Sequence, residues 1–515
     1  MNEARLLHFG TPVSVLTSTI TYSATGGTAT GYLKSPDPSV GGFYPLAVNG
    51  EPDGMILDGE YDGGQYFGFI STAASDPDDG TFATDPTLTI TISPAASVRG
   101  VTIIFANDEP CAVSVDFKYG GTTIGTVTMT PTSRVCWIPL NAIITGAVVT
   151  FTRTLVPGTY VKVARLFPGE IHEFDSTEIT ACDATKECNL GGLELPAGTL
   201  TATIASSTPA KFKYRELLLA FWGDRLIGHF YVDKVKKIGA ELYSISAVDA
   251  LGVLATTPFD GQYMASDTDV QDEIEALATS SFSTAVDHLH IYNVRGLVTA
   301  TNRRDALLQV GIGGCLWGAA RPPYNGLWPP NYGLDAPISF DDVLDVLDPA
   351  NANYETVDLD PDEIYDSVDF SEDVVVTSLE ITSHAITTSA TGNIQIGNAR
   401  YNDTVTANTY TVSSAGAGLP NSKKIGDAPT IITGKKDAAH TYASDVALIG
   451  AAVADYLKKQ KRIIITAANK FIDLGCRLRA TIDGVTYTAA VEKINYRFGS
   501  SIMAATYTAV VIMEA

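Results

Sequence analysis

The chain has 515 residues, material for about three or four domains with separate cores. Its 45% hydrophobic and 18% charged content excludes a disordered polypeptide, and runs of Thr, Val, Ile and Ala broken by Gly, Pro, Asn and Asp favour strands and turns. With 34 basic against 58 acidic residues the formal charge is −24, which excludes a grip on a nucleic-acid backbone, since that needs clustered Lys and Arg.

Residues 1–168 read as one all-β unit. Met1–Gly10 carries Glu3, Arg5 and His8 without a continuous apolar core, so no secretory leader is expected. No run reaches the ~18 apolar residues of a membrane span. Candidate strands are Val13–Tyr22, Thr87–Ile92, Val101–Phe105, Ala112–Tyr119, Thr122–Met129, Val135–Pro139, Ala147–Arg153 and Val161–Leu166. Short strands with frequent turn signals imply a two-sheet sandwich. Gly100–Ala106, Val113–Tyr119 and Tyr160–Phe167 resemble the galactose-binding, discoidin-type jelly roll. That resemblance implies either a glycan platform, with Tyr61, Tyr66, Phe67 and Trp137 as the aromatic candidates, or an architectural spacer.

Residues 169–262 form a second β unit. Leu193–Ile204 reads as a strand, and Ile227–Leu254 as strand, turn, strand and a short apolar segment. Phe230 and Val232 alternate with Tyr231 and Asp233, Gly239 is placed to supply a positive φ, and Leu242, Ser244, Ser246 and Val248 face opposite Tyr243, Ile245 and Ala247. Gly228, Phe230, Tyr231, Val232 and Asp233, followed by Tyr243, Asp249, Gly252 and Leu254, resemble a block of the hub proteins of phage baseplates and tail tips.

Residues 263–336 read as α/β. Thr268 and Gln271 have capping-box spacing ahead of a helix with Val270, Ile274, Leu277 and Ala278 on one face. Strand Leu297–Thr299 leads to a second helix, Thr301-Asn-Arg-Arg-Asp-Ala-Leu-Leu-Gln-Val, ending at Gly313-Gly314. Residues 337–515 read as a second β-barrel with a helix at 444–461, whose stripe is Val446, Ile449, Val453, Tyr456 and Leu457. The helix at Thr301, the strand from Val374 and the closing Ala489–Thr506 segment also resemble the hub family, in the family's order.

The fold expected is therefore mainly β with a few helices: a jelly-roll sandwich, then hub-type β-barrels and small α/β domains. The resemblance implies a homotrimer forming a pseudo-sixfold ring, made in a host cytoplasm and built into a virion tail. Above it would lie a tail tube or distal tail protein, and below it a spike or tip. DNA would pass through the lumen without specific binding, past acidic walls that repel phosphate. The alternative is a carbohydrate- or receptor-binding tail protein acting through the jelly roll on a host-surface glycan.

Chemistry is sparse. No phosphate loop, HExxH or GxSxG element occurs, and His288 and His290 have no partner at metal-ligand spacing. Acidic pairs such as Asp76, Asp78 and Asp79, or Asp360, Asp362 and Glu363, read as solvated turns. No enzyme activity, cofactor or metal is expected. The six cysteines are scattered; Cys182 and Cys188 are close enough to bridge, but the count favours buried thiols in a reducing compartment. Tyr324, Trp328 and Tyr332, in a Pro-rich loop, are candidates for an interface anchor.

Overall fold

The computed structural model describes residues 4–10, 19–30, 61–62, 65–66, 68–105, 110–132, 135–190, 194–205, 212–222, 225–278, 292–313, 316–321, 336–339, 347–350, 356–365, 368–412, 421–425, 432–435, 442–468, 470, 472–498 and 503–515. It is mainly β, with a few helices. A 13-stranded sheet dominates, running Glu170–Phe174, Ala4–Gly10, Leu217–Trp222, Arg225–Lys237, Leu242–Val248, Thr199–Ala205, Ile179–Glu187, Val485–Phe498, Met503–Glu514, Lys461–Ala468 and Asp369–Glu372. Arg477–Ile482 pairs with the first half of Val485–Phe498 and carries Thr356–Leu359 on its other side.

The two barrels expected from the sequence are thus two blocks of one sheet. Ile179–Glu187 and Val485–Phe498 join them, antiparallel, with Asp183 opposite Arg497 and Thr185 opposite Asn495. Across this seam Thr185 Oγ1 donates to Asn495 Oδ1 at 2.7 Å. One apolar core runs beneath both blocks, from Leu6 and Leu218 through Ile204 and Ala184 to Ile494, Tyr507 and Ile465.

The first strand does not join the N-terminal sandwich. Ala4–Gly10 lies between Glu170–Phe174 and Leu217–Trp222, with His8 opposite both His172 and Leu218. The eight-stranded antiparallel sheet at 19–167 is therefore inserted between two neighbouring strands of the large sheet, and the boundary drawn at 168 misses the strand that precedes it. Four of the short strands expected there are halves of two long ones, Thr87–Phe105 and Val135–Thr154. Register shifts at Pro139/Ala142 and Ile144/Gly146 mark bulges, which bend paired strands so that both ends can face one core. Gly100 and Gly146 sit at the close crossings, where a Cβ would meet the carbonyl oxygens of Ile138 and Ile90. Phe69, Phe105, Phe117 and Phe151 fill that core, each wholly buried, a burial of roughly 1.5–3 kcal/mol per ring.

The helices gather on a three-stranded sheet, Gln262–Asp269, Tyr292–Val298 and Ile432–Lys435, and on a four-stranded one that includes Ser378–Thr388 and Ala399–Thr411. Helix Val270–Ala278 buries Val270, Ile274, Leu277 and Ala278 as its spacing predicts. The expected capping box is replaced: Thr268 is still in the strand, and its hydroxyl donates to the Ser266 carbonyl. Helix Tyr442–Lys458 buries Val446, Ile449, Val453 and Tyr456, and ends before Lys461, which opens the next strand. The insert at 378–458 separates the strands of the second block, just as the sandwich interrupts the first.

Candidate functional site: a shared sheet, its seam and its open edge

The hairpin that stands out in the sequence is a scaffold. Arg225–Lys237 and Leu242–Val248 pair antiparallel with a bulge between Val232 and Lys234, and ahead of it Phe230, Tyr231 and Val232 are all buried, so both faces of the strand are covered. Gly239 does not take a positive φ; the ribbon turns instead with the Ile238 and Gly239 N–H groups both donating to the Leu242 carbonyl. Asp249 explains the second half of the block. It caps helix Ala250–Ala255, accepting from Gly252 N at 2.9 Å and from Gly198 N at 2.6 Å. Burial pushes its carboxyl up to about 6, against those backbone donors. A Cβ on Gly252 would stand 2.5 Å from Val248 Cβ, which explains why the residue is glycine.

The residues at Thr301 likewise organise backbone. Asn302 Oδ1 accepts from Asp305 N at 2.9 Å and caps helix Arg303–Gly313. Arg303 reaches back to the carbonyls of Ala276 and Leu277, closing the end of the preceding helix. Gln309 Oε1 accepts from Thr299 N and Ala300 N, holding the turn between strand and helix.

Beside the seam lies a buried polar knot. Arg462 Nε donates to Glu492 Oε2 at 3.0 Å, and Tyr456 donates to Glu492 Oε1 at 2.7 Å. The same carboxylate accepts from Leu190 N at 3.3 Å, so one side chain ties the first block, the second block and helix Tyr442–Lys458 together. Burial and the neighbouring Glu492 raise Tyr456, so the phenol stays protonated and donates. The sequence showed no motif here; only strand pairing between residues some 300 apart assembles it.

A second knot lies where the sandwich meets the large sheet. Arg99, from the sandwich, donates to Glu216 Oε1 at 2.7 Å and to Glu170 Oε2 at 3.1 Å. His8 Nε2 lies 2.9 Å from Glu216 Oε2, and His172 Nε2 lies 2.5 Å from Glu170 Oε1. Phe212 packs on His8 and Trp137 on His172. Burial lowers His8 despite its bond to Glu216. Burial also acts to raise Glu216, but His8, the Lys213 N–H and Arg99 together hold it below its usual range.

The two ends of the large sheet differ. At one, the sandwich packs on Glu170–Phe174 through Arg99 and Trp137. At the other, Asp369–Glu372 pairs only with Lys461–Ala468 among the described residues and is exposed along its whole length. Phe370 is 41% exposed and Val374 77%, with Val375 and Met513 also open to solvent. Lys461 covers the faces of Phe370 and Tyr487 and pairs with Glu514 at 2.8 Å.

Of the residues singled out in the sequence, Tyr324, Trp328, Tyr332, His288 and His290 lie outside the described residues. Tyr61 and Tyr66 are backbone register partners in a two-stranded ribbon. Trp137 lies in strand Val135–Thr154, partly buried, with its ring 5.8 Å from His172 and its indole N–H enclosed without an acceptor among the described residues. Asp76, Asp79 and Thr81 make a closed turn, and Glu363 pairs with Lys470. Cys182 and Cys188 are free and buried. Among the described residues no group of His, Cys, Asp or Glu is placed to hold a metal ion, and no helix is long and apolar enough to cross a membrane.

No family model and no curated protein matches the chain. Solved structures do. A tail protein from Neisseria meningitidis MC58 aligns with a TM-score of 0.42 at 11% identity, over 66% of this chain and 93% of its own. The 43 kDa tail protein of prophage MuSo2 from Shewanella oneidensis aligns at 0.42 and 10%, over 67% and 96%. The prophage tail protein gp18 from Listeria monocytogenes EGD-e aligns at 0.39 and 11%, over 65% and 91%.

Proposed function

We propose that the chain is a structural component of a phage or phage-like tail, the hub of a baseplate or tail tip. It would act as a homotrimer whose paired sheet blocks make a pseudo-sixfold ring. The observation that carries this reading is the fusion of two strand blocks into one sheet through Ile179–Glu187 and Val485–Phe498. A subunit with two side-by-side blocks presents six to a ring of three, the symmetry needed to meet a hexameric tail tube. The bare Asp369–Glu372 edge, flanked by Phe370, Val374, Val375 and Met513, is the surface at which the next copy would dock by strand addition.

On this reading function is geometric. The ring joins the tube above to a spike or tip below, its acidic lumen lets DNA slide, and no catalytic step is involved. The N-terminal sandwich serves as a spacer, because Trp137 is engaged at the junction with the large sheet. Mass photometry of the purified chain tests the assembly. A population at three times the 54.6 kDa subunit mass is expected, and a strict monomer at micromolar concentration would refute the ring.

A further inference from the structure

The knot at the sandwich junction is built from ionisable groups that belong to different parts of the chain. Arg99 comes from the sandwich, His8 from one strand of the large sheet, Glu170 and His172 from the strand beside it, and Glu216 from the residue before strand Leu217–Trp222. His8 is 1% exposed. Among the described residues, Glu216 reaches it from the Leu217 strand's entry, where the Lys213 N–H also donates to that carboxylate; Glu170 and His172 stand on the neighbouring strand, Arg99 comes from the sandwich, and Phe212 is the apolar cover. Since an ionised Glu216 can only accept, His8 carries its proton on Nε2. Its Nδ1 is then a bare lone pair, enclosed and without a partner among the described residues.

We propose that this cluster is an acid-operated latch, closed at neutral pH and opened when His8 takes a second proton, that fixes the attitude of the sandwich on the large sheet. A proton on Nδ1 would create a buried N–H with no acceptor among the described residues, in a cation that shares the Glu216 carboxylate with the Arg99 guanidinium. Swinging the sandwich away hydrates both cations and relieves the conflict. Burial holds folded His8 below the 6.5 of a free histidine, so its contribution to the closed state is complete above that pH and is lost as pH falls below it. Glu216, held below 4.5, stays ionised through this window and does not set it.

Hydrogen exchange of the intact chain tests the latch, read on peptides spanning 96–102 and 168–174 and corrected for intrinsic rates, with small-angle scattering for overall dimensions. Between pH 7.5 and 5.5 the wild type should lose protection by up to about tenfold, the limit set by pH 5.5 lying one unit below the 6.5 of free histidine, and its maximum dimension should grow. His8→Gln keeps a donor for Glu216 but cannot titrate, and should stay closed at both values; Arg99→Met should be open at both. Wild-type protection that is constant across this range, or equal opening in His8→Gln, overturns the proposal. If His8→Gln fails to fold, carbon-13 titration of wild-type histidines decides: His8 titrating near 6.5 with the junction still protected also overturns it.

Discussion

Arg462 and Glu492 form a buried pair 3.0 Å apart, and the carboxylate's other oxygen holds Tyr456 and the backbone of Leu190. Removing Glu492 leaves the buried Arg462 with the exposed Asp373, 2.8 Å away, as its carboxylate partner among the described residues, so the cost approaches the roughly 3–5 kcal/mol of a broken buried pair. Glu492→Ala should therefore lower the denaturation midpoint sharply. Replacing Arg462 and Glu492 together by Met and Leu should recover most of the loss. Urea titrations followed by tryptophan fluorescence check both, and a double variant as unstable as Glu492→Ala would show that the pair's charge is not the issue.

Asp249 gives a pH signature of the opposite sign to His8. Its carboxyl is pushed up to about 6 by burial, above the 3.8 of a free aspartate. The stability it contributes is full below the free value and is lost as pH rises through about 6. Wild type measured against Asp249→Asn should thus lose ground between pH 5 and 7, as thermal melts at several pH values will show.

Gly252→Ala should destabilise the chain by about 1–3 kcal/mol, the usual cost of overpacking. The added methyl would meet Val248 at 2.5 Å, which cannot be relieved by a side-chain rotation because the contacting atom is a Cβ. Calorimetry of the variant checks this, and an unchanged melting temperature would show that the short helix shifts freely.

Four buried cysteines, Cys111, Cys136, Cys182 and Cys188, should be inert in the folded chain. Burial pushes Cys111 up to about 12 and Cys136 up to about 11, and raises Cys182 and Cys188 as well. Thiolate is the reactive form, so alkylation at pH 8 followed by peptide mapping should leave these four unlabelled until denaturant is added.

Much of the local structure was legible in the sequence. The Leu242–Val248 alternation, the Val270 and Val446 helical stripes and the Ile227–Leu254 hairpin follow from periodicities of two and 3.6. What the pattern did not carry is long-range. Whether Ala4–Gly10 pairs with residues of the sandwich or with Leu217–Trp222 depends on partners some 200 residues away, and no window of sequence contains both. The same holds for the seam and for the two polar knots: His8, Arg99, Glu170 and Glu216 are each unremarkable in isolation. The strand read as Val135–Pro139 ends where the structure has a bulge rather than an end, and the contact of its Trp137 with His172 in another strand lies in no local pattern. Tyr231 alternates with Phe230 and Val232 in the sequence, yet all three are buried, because both faces of this strand are covered by residues from elsewhere in the chain.

The exposed edge should be dispensable for folding and needed for assembly. Glu372→Pro, whose N–H faces the open side because the alternate Asp373 N–H donates to the Gln460 carbonyl, should leave the thermal melt within a few degrees of wild type while lowering the share of trimer in mass photometry. Retained trimers would move the docking surface elsewhere.

The most direct measurement is electron cryomicroscopy of the assembled particle with this subunit labelled. The account predicts three copies around the tail axis, the Asp369–Glu372 edge of each against the next copy and the large sheet lining the bore. A single copy, or density away from the axis, would contradict it.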